Sequence, residues 1–518
     1  MVFTTAWMNR PGYLGHFFAL FCGALLPFGF APYHIWPLQL LSVAAIYFSV
    51  KGLTPKQALW RGWWYGLGVF ASGVSWVYVS IHVFSKTPAP LAFFMTFLFV
   101  GGLAWLFAFM TYSFQKWFSQ KTLPIISFAL IWLLFEWMRS WLLGGFPWLY
   151  LGDAHIDTWL SGFAPVFGVY SIGLIITLSA CVLIDWQWKS NYKSGLAILI
   201  TPWILGLGAS HIEWTTPLEN GDIKVAAIQG NIPQDRKWLS EEIYPTLALY
   251  RTATESNREA DLILWPETAI TVLHHQVKEY LNYLNSEGKE HNTTIVTGIP
   301  YQQGRKEERP GAYHNSIVAL GEGSGLYHKQ KLVPFGEYVP LPDSWRGLME
   351  FFQIPMSDFH SGNSDQAQLK VDTGNIQYGI APYICYDIVY PDHVADYAKD
   401  SGLLVTISND AWFGHSIGPL QHFDIARMRA LENGRYLLRS TNTGITGLID
   451  HKGQVVKQLP QFEYGILQAD AQVMTGNTPF NLWGSWPVLI LSFLGLTLIL
   501  LRESQYWPWA EKKALQES

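Results

Sequence analysis

Residues 378–387 read Tyr378-Gly-Ile-Ala-Pro-Tyr-Ile-Cys385-Tyr-Asp387, an apolar run that ends in a cysteine. A short continuous apolar run of this kind predicts a buried strand, with Cys385 at the point where the strand turns. A lone cysteine on an apolar strand is usually a small core residue, so the run alone predicts structure and no chemistry. Whether the thiol reacts depends on what the rest of the chain places beside it.

Two other predicted strand ends carry charged side chains. In the run 262–267 a buried strand stops at a proline and presents Glu267, and farther along Lys329 precedes Glu337 by eight residues. A carboxylate can take the proton of a thiol, the thiolate can attack a carbonyl, and an ammonium can stabilise the resulting oxyanion. Taken singly, Glu267 could cap a helix and Lys329 could be a solvated loop charge. Their occurrence with Cys385 at three strand ends favours a thiol acyl-transfer site.

The region around these motifs alternates short apolar runs with helical patterns. Strands are predicted at 223–228, 261–265, 294–298, 316–320, 378–386, 403–408 and 444–450, and helices at 241–256, 274–287, 394–400 and 421–433. Near-continuous apolar strands interspersed with helices indicate an α/β sandwich whose sheets are buried by helices.

The rest of the chain has the composition of a membrane protein. Hydrophobic residues make up 50% of the sequence and charged residues 14%, against roughly 25% charged in soluble domains. Runs long enough to span a bilayer are predicted at 13–30, 34–50, 61–80, 89–115, 123–142, 166–185, 194–210 and 483–501. We therefore divide the chain into seven spans in 1–215, a catalytic domain in 216–475, and an eighth span with a tail in 476–518.

The short loops give the expected orientation. Lys and Arg concentrate in alternate loops, which places both termini in the cytoplasm and region 216–475 outside, in the periplasm of a bacterial inner membrane. A formal net charge of -5 excludes a nucleic-acid partner. Cys22, Cys181 and Cys385 lie in separate regions, so we expect neither a disulfide framework nor a zinc site.

One predicted span contains two charges. Glu136 and Arg139 are three residues apart and share a helix face. Charge inside a membrane is costly and usually paired or functional. We expect a self-neutralising pair near the outer interface, with contact to a lipid headgroup beside loop 144–148 as the alternative.

The motifs together resemble those of a known superfamily. The Trp-Pro-Glu ending at Glu267, the Lys329 segment and the Cys-Tyr-Asp beginning at Cys385 are similar to the Glu-Lys-Cys triad motifs of the nitrilase, or carbon–nitrogen hydrolase, superfamily. Further runs at 408–414, 421–422, 435 and 442–446, with the eight spans, narrow the resemblance to the apolipoprotein N-acyltransferase family. The resemblance implies an α+β membrane protein whose periplasmic part is a nitrilase-like α-β-β-α sandwich.

The same resemblance implies roles for individual residues. Glu267 corresponds to the general base, Lys329 to the oxyanion-stabilising lysine and Cys385 to the nucleophile. The supporting residues are Glu337, which would orient the lysine, and Tyr386 and Asp387. The expected substrate-binding residues are Trp238 on an entrance loop, Phe146 and Trp148 as guides for acyl chains, and Asn315. The family more often has a glutamate where Asp387 stands, which leaves the role of that position open.

The activity implied is acyl transfer between two lipid substrates, with no cofactor. A fatty acyl group would pass from the sn-1 position of a phospholipid, phosphatidylethanolamine above all, to Cys385 as a thioester. The α-amino group of the N-terminal S-diacylglyceryl-cysteine of an apolipoprotein would then accept it, in the last step of bacterial lipoprotein maturation. Two alternatives stay open. A membrane-anchored amidase or nitrilase would need only one anchor, and a non-enzymatic lipid scaffold or transporter would not need an intact triad.

Overall fold

The computed structural model describes residues 8–186, 188–304, 311–338 and 359–504, and a helical part precedes residue 216. Its helices are α1 (Tyr13–Leu25), α2 (Pro37–Val50), α3 (Pro55–Gly73), α4 (Ala89–Trp117), α5 (Pro124–Arg139), α6 (Ala164–Asp185) and α7 (Trp188–Ala209). Large apolar side chains such as Phe17, Phe93 and Leu205 are exposed on these helices. Such surfaces are typical of helices that face lipid.

The start of α3 shows how local sequence sets a helix boundary. The Thr54 hydroxyl accepts from the backbone N–H of Gln57, the Gln57 side chain accepts from the backbone of Thr54, and Pro55 occupies the first helical position. This reciprocal cap satisfies backbone donors that the first helical turn leaves free.

A helix lies at each of the eight predicted spans, although not all are long. Among the described residues, three helices are long and apolar enough to cross a membrane: Ala89–Trp117, Trp159–Asp185 and Ser190–Ala209. A fourth is possible if Pro55–Gly73 and Val77–Phe84, which are bent by 63°, form one span. Shorter apolar helices cover Tyr13–Gly29, Pro37–Val50 and Trp486–Arg502. The structure therefore gives an apolar helical region with three or four full-length spans by these criteria.

The two charges on α5 are both buried and both engaged by protein groups. Nη2 of Arg139 lies 4.0 Å from Oε1 of Glu136 and donates to the carbonyl of Leu149 at 3.2 Å. The same Glu136 oxygen accepts from the backbone N–H of Leu151 at 3.0 Å. The predicted pair is present, and it fixes the chain that follows loop 144–148.

From residue 216 the chain forms strands with helices between them. The strands are β1 (Thr216–Gln229), β2 (Leu262–Leu264), β3 (Thr294–Gln303), β4 (Ala312–Gly321), β5 (Gly323–His328), β6 (Leu369–Asp372), β7 (Gln377–Ile384), β8 (Leu403–Ser408), β9 (Leu437–Thr441), β10 (Gly447–Ile449), β11 (Val455–Gln458) and β12 (Gly465–Thr475). The helices between them are α8 (Ser240–Glu255), α9 (Lys278–Glu290), α10 (Pro391–Ala398) and α11 (Gly418–Asn433), and α12 (Pro479–Trp483) and α13 (Trp486–Ser504) follow β12.

The strands run in the order β11-β10-β9-β8-β7-β6-β5-β4-β3-β2-β1-β12. The sheet has two halves: one contains β12 and β1 through β5, and the other contains β6 through β11. A short pairing between β5 and β6 joins them. The halves pack face to face, with β1 against β9 and β4 against β7. Within them β1, β2 and β3 are parallel neighbours, as are β7, β8 and β9. Their carboxyl ends are where side chains for chemistry can converge.

Helices cover both outer faces of this double sheet. On the first half, Leu247 and Tyr250 of α8 and Leu284 of α9 belong to one apolar cluster with Ile263 and Trp265. On the second half, α10 packs on β7 and α11 on β9. The layers are therefore helix, sheet, sheet and helix, as expected for the catalytic domain in 216–475.

Helix α11 also joins the two parts of the protein. Oε1 of Glu432 accepts from the backbone N–H of Val169 in α6 at 2.8 Å, and Arg429 lies 3.3 Å from Asp153. These side chains are fully or almost fully buried. Removing one partner of a buried ion pair is strongly destabilising, so this junction resists separation of the helical part from the sheets.

Candidate active site

Cys385 lies at the turn that follows β7, and its backbone is strained. It has a φ of 50°, in the left-handed region that residues other than glycine rarely adopt, and it begins a short 3₁₀ turn. Such a conformation persists only where its surroundings hold it, and it is frequent at functional sites. The turn places Cys385 just beyond the end of the strand.

Asp387 is the residue that holds this turn. Its Oδ2 accepts from the backbone N–H of Ile384 and from the hydroxyl of Tyr327, both at 3.0 Å, and its Oδ1 accepts from the backbone N–H of Lys331 at 2.7 Å. Burial raises the pKa of Asp387 to about 6, although Lys329 and these donors oppose the shift. An aspartate is long enough for all three contacts, so Asp387 positions the turn Cys385–Val389.

Glu267 lies just beyond β2 and is buried. Its Oε1 accepts from Nδ2 of Asn315 at 2.7 Å, and its Oε2 accepts from the backbone N–H of Asn409 at 2.8 Å. Burial and then the nearby Glu337 raise the pKa of Glu267, and Lys329 opposes them. A carboxylate with a raised pKa is a better proton acceptor, which suits a general base.

Lys329 follows β5 and is 1% exposed. Its Nζ donates to Oε1 of Glu337 at 2.8 Å and lies 3.7 Å from Oε1 of Glu267. Burial lowers the pKa of Lys329, but the two carboxylates outweigh it and the pKa is raised overall. The ammonium therefore stays charged, as stabilisation of an oxyanion requires.

The thiol of Cys385 interacts electrostatically with this array. Burial and then Glu267 raise the pKa of Cys385, and Lys329 opposes the shift. The uncharged thiol is therefore the resting form, and attack on a carbonyl requires a base to remove its proton. The structure thus brings Glu267, Lys329 and Cys385 into one site, with Glu337 bound to the lysine.

Cys385, Asp410 and His422 carry ligand atoms within 4.8 Å of one another, close enough for one metal ion. Nη2 of Arg439, however, already donates to Oδ2 of Asp410 at 2.7 Å, and Nδ1 of His422 lies 3.0 Å from Oδ1. A cation would meet the guanidinium charge at this place, so these residues suit an internal ion pair better than a metal.

The loop after α5 directly contacts Tyr386, in the turn that begins at Cys385, and Tyr390, just after that turn. The hydroxyl of Tyr386 donates to the carbonyl of Gly145 at 3.0 Å, and that of Tyr390 donates to the carbonyl of Gly144 at 2.9 Å. Residues of the turn thereby hold the helical part against the site. The supporting role expected for Tyr386 stays a prediction, and this contact is the one that the structure gives its hydroxyl.

The aromatic residues of that loop differ in position. Phe146 is partly buried and packs near Trp76, whereas Trp148 is 1% exposed and donates from Nε1 to Oε1 of Gln421 at 2.8 Å. Trp76 donates to the same oxygen at 3.2 Å. Trp148 therefore lies inside the protein and is not exposed to a substrate, whereas Phe146 is only partly buried.

The other two predicted substrate-binding residues, Trp238 and Asn315, differ in their exposure to solvent. Trp238 is 40% exposed on the loop before α8, as an entrance residue would be. Asn315 is 1% exposed, and its Nδ2 donates to Glu267 and lies 3.4 Å from Oε1 of Glu337. Asn315 therefore links the two carboxylates, a role that its assignment to substrate binding did not predict.

Sequence reasoning gave no role to Lys237, Asn409 or His422. Lys237 is buried and donates from Nζ to the carbonyl of Glu267 at 2.9 Å. Burial lowers its pKa to about 8, with Glu267 opposing. Asn409 and His422 lie in runs that carried the family resemblance, whereas a lysine beside Trp238 has no sequence signal that distinguishes it from a solvated charge.

The α-β-β-α layers, with a buried carboxylate and ammonium beside the partly buried thiol of Cys385, define a catalytic domain of the carbon–nitrogen hydrolase type. Residues 224–480 match the family model for carbon-nitrogen hydrolase, and residues 22–182 match that for the apolipoprotein N-acyltransferase N-terminal domain. An apolipoprotein N-acyltransferase of Pseudomonas aeruginosa strain UCBPP-PA14 is 44% identical over 502 residues, covering 96% of this chain and 97% of that protein. The chain belongs to the apolipoprotein N-acyltransferase family.

Further similar proteins are found among curated sequences and solved structures. An apolipoprotein N-acyltransferase of Vibrio parahaemolyticus serotype O3:K6 is 40% identical, covering 93% of this chain and 95% of that protein. A solved nitrilase-superfamily protein of branch 10 from Saccharomyces cerevisiae covers 50% of this chain and 93% of its own, at 16% identity and a TM-score of 0.36. The match to a solved carbon-nitrogen hydrolase from Helicobacter pylori G27 covers 48% of this chain and 89% of that chain, at 16% identity and a TM-score of 0.34.

Proposed function

We propose that this enzyme transfers a fatty acyl group from a phospholipid to an apolipoprotein. The donor position is sn-1, with phosphatidylethanolamine as the main donor, and the acceptor is the α-amino group of an N-terminal S-diacylglyceryl-cysteine. This is the last step of bacterial lipoprotein maturation. The array of buried Glu267 and Lys329 with the partly buried Cys385 carries the proposal, because its parts match the needs of acyl transfer through a thiol. Family membership supports the choice of acceptor.

In the first half-reaction Glu267 takes the proton of Cys385 and the thiolate attacks the sn-1 ester carbonyl. Lys329 stabilises the oxyanion of the tetrahedral intermediate. When that intermediate collapses, the bond to the glycerol oxygen breaks and Glu267 returns the proton to it, so lysophospholipid leaves. An acyl thioester remains on Cys385. The raised pKa of Glu267 supports its action first as base and then as acid.

In the second half-reaction the α-amino group of the apolipoprotein attacks the thioester. Lys329 again stabilises the oxyanion, Glu267 takes the proton released from nitrogen, and the carbon–sulfur bond breaks. The thiolate then recovers its proton from Glu267, and N-acyl lipoprotein leaves. A single site that is used by two substrates in turn gives ping-pong kinetics.

The neighbouring residues act through the triad. Glu337 and Asn315 hold Lys329 and Glu267 in place, and Asp387 fixes the nucleophile turn. Tyr386 supports that turn against the loop after α5. Residues Trp238, Phe146 and Trp148 shape the approach of the lipid chains, with Trp148 acting from behind Phe146.

The membrane arrangement we propose has eight spans in a bacterial inner membrane. Seven lie in 1–215 and one in 476–518, with the catalytic domain 216–475 in the periplasm and both termini in the cytoplasm. A helix at every predicted span and the charge bias of the loops support this topology. The cytoplasmic tail beyond residue 504 lies outside the described residues.

The test offers the purified enzyme phosphatidylethanolamine and a synthetic S-diacylglyceryl lipopeptide with a free α-amino group. The same lipopeptide with an acetylated amino group serves as the control, and a soluble amide is tested in parallel. Transfer of one acyl group to the free amine alone, lost in Cys385→Ala, is expected. Hydrolysis of the soluble amide without acylation of the lipopeptide would instead identify a membrane-anchored amidase.

A further inference from the structure

A buried ionic cluster lies beside the nucleophile and has no part in the steps described above. His422 and Asp410 are each 1% exposed and Arg439 is fully buried. Oδ1 of Asp410 lies 3.0 Å from Nδ1 of His422, and Oδ2 accepts from Nη2 of Arg439 at 2.7 Å. Burying three ionisable groups costs free energy, and such clusters concentrate at functional sites.

His422 reaches the nucleophile through its other ring nitrogen. Nε2 of His422 lies 3.2 Å from the backbone carbonyl oxygen of Cys385. A carbonyl oxygen only accepts hydrogen bonds, so Nε2 must carry a hydrogen in this contact. Burial and then Arg439 lower the pKa of His422, with Asp410 opposing, which favours the neutral ring. In that form Nδ1 carries a lone pair that accepts from Nη2 of Arg439, 3.1 Å away. Asp410 then orients His422 through Arg439, because Oδ1 of Asp410 can accept from Nδ1 only when the ring is protonated.

The ring is also fixed from the side of the helical part. It packs beside Trp148, with 5.6 Å between ring centroids. The adjacent Gln421 accepts from the indoles of Trp148 and Trp76. His422 is therefore held on its Nδ1 side by charged groups and across its face by an indole, so Nε2 has a defined direction.

The carbonyl that Nε2 contacts belongs to the same planar peptide group as the N–H of Tyr386. In a trans peptide the C=O and the N–H point in opposite directions, so holding the oxygen sets the direction of the N–H. A hydrogen bond accepted at the oxygen also polarises the N–H and makes it a better donor. The φ of 50° at Cys385 is a strained conformation that surrounding contacts must hold, and the His422 contact acts here together with those of Asp387.

We propose that His422, oriented by Asp410 and Arg439, is a positioning residue that holds the Cys385–Tyr386 peptide so that the Tyr386 N–H stabilises the oxyanion together with Lys329. This inference rests on the proposed function, because the oxyanion forms only when Cys385 attacks a carbonyl. It assigns to His422 no proton transfer and no contact with substrate. Its effect is confined to steps that pass through a tetrahedral intermediate.

Two reactions of the same thiol separate this role from a structural one. Acylation by phosphatidylethanolamine requires an oxyanion, whereas alkylation by iodoacetamide is a direct displacement that requires only the thiolate. His422→Phe removes the donor and keeps a ring against Trp148, and His422→Gln keeps an N–H near the position of Nε2. His275→Phe, at an exposed position, is the matched control.

We expect the acylation rate of His422→Phe to fall by about 10- to 100-fold at an unchanged KM for phospholipid. Complete removal of one oxyanion donor lowers a rate by about 10²–10³, and loss of His422 should only weaken such a donor. Alkylation of Cys385 should stay within about threefold of wild type, and His422→Gln should recover most of the acylation rate. The inference is overturned if acylation and alkylation fall together, if neither falls, or if the glutamine variant is no better than phenylalanine. Wild type that is alkylated but never acylated would refute the proposed function itself, and this inference with it.

Discussion

Replacing Glu267 by glutamine isolates the general base with the smallest change of shape. The structure places one hydrogen-bond donor on each carboxylate oxygen, Nδ2 of Asn315 at 2.7 Å and the backbone N–H of Asn409 at 2.8 Å. Glutamine has a single acceptor oxygen, so one of these donors must face an NH₂ group. Lys329 keeps its contact with Glu337 at 2.8 Å, and the site therefore retains a charged lysine with a partner.

Two effects of different size follow from Glu267→Gln. Loss of a general base lowers rates by about 10²–10⁴. The unpaired donor lowers the free energy of unfolding by about 1–3 kcal/mol, which a buried, well-packed domain tolerates. We therefore expect a folded enzyme whose first half-reaction is slowed by about two to four orders of magnitude.

The assay mixes enzyme with excess phosphatidylethanolamine, without acceptor, and follows the Cys385 adduct in time by intact-mass spectrometry. Glu279→Gln, at an exposed position on α9, is the matched control and should acylate at the wild-type rate. Thermal unfolding in detergent confirms that each variant is folded. A folded Glu267→Gln that acylates within about threefold of wild type would refute the assignment of Glu267 as the base.

Three further predictions concern the neighbours of the triad. Lys329→Met should lower the acylation rate by about 10²–10³ at an unchanged KM, because it removes the charged oxyanion donor; a change in KM alone, in steady-state kinetics, would contradict this. Glu337→Gln removes a negative charge that raises the pKa of Glu267. Since Glu267 must be deprotonated to act, the acidic limb of the acylation–pH profile should move to lower pH, and a move to higher pH would be inconsistent with the site. Asp387→Asn gives up a charged acceptor of three hydrogen bonds. It should lower the free energy of unfolding by about 1–3 kcal/mol, as measured by chemical denaturation, and unchanged stability would argue against its role in the turn.

The sequence predicted those elements whose local pattern agrees with their place in the fold. The apolar runs of β7 and β8 were predicted, because buried parallel strands are apolar on both faces. The three strand-end motifs were found for a related reason, since a charged residue or a thiol directly after an apolar run is a local signal. The structure brings Glu267, Lys329 and Cys385 together as that signal predicted.

The missed strands are those whose burial depends on distant partners. Strand β9 carries Arg439 and two hydroxyl residues, and it is buried only because Asp410 neutralises the guanidinium. Strand β11 is exposed along its length and has no apolar face to detect. The strands β5, β6 and β12 were also not predicted. Such elements become stable only through tertiary contacts, which override local propensity.

The same limit applies to the site. Lys237 is buried by its contact with the carbonyl of Glu267, 30 residues farther along the chain. Asn315 bridges two carboxylates that come from different elements. Neither contact has a signature in the residues around it, whereas the loop of Trp148 was noticed for its aromatic content and only the structure shows that this indole is buried.

The most direct test of the thioester on Cys385 is the mass of the enzyme after exposure to phosphatidylethanolamine without an acceptor. We expect one added acyl group, mapped to Cys385 by peptide analysis, released by the amine of an S-diacylglyceryl lipopeptide and absent in Cys385→Ala. If folded wild type acylated the lipopeptide without ever carrying an acyl group, or if Cys385→Ala carried the same adduct, the thioester mechanism would be wrong.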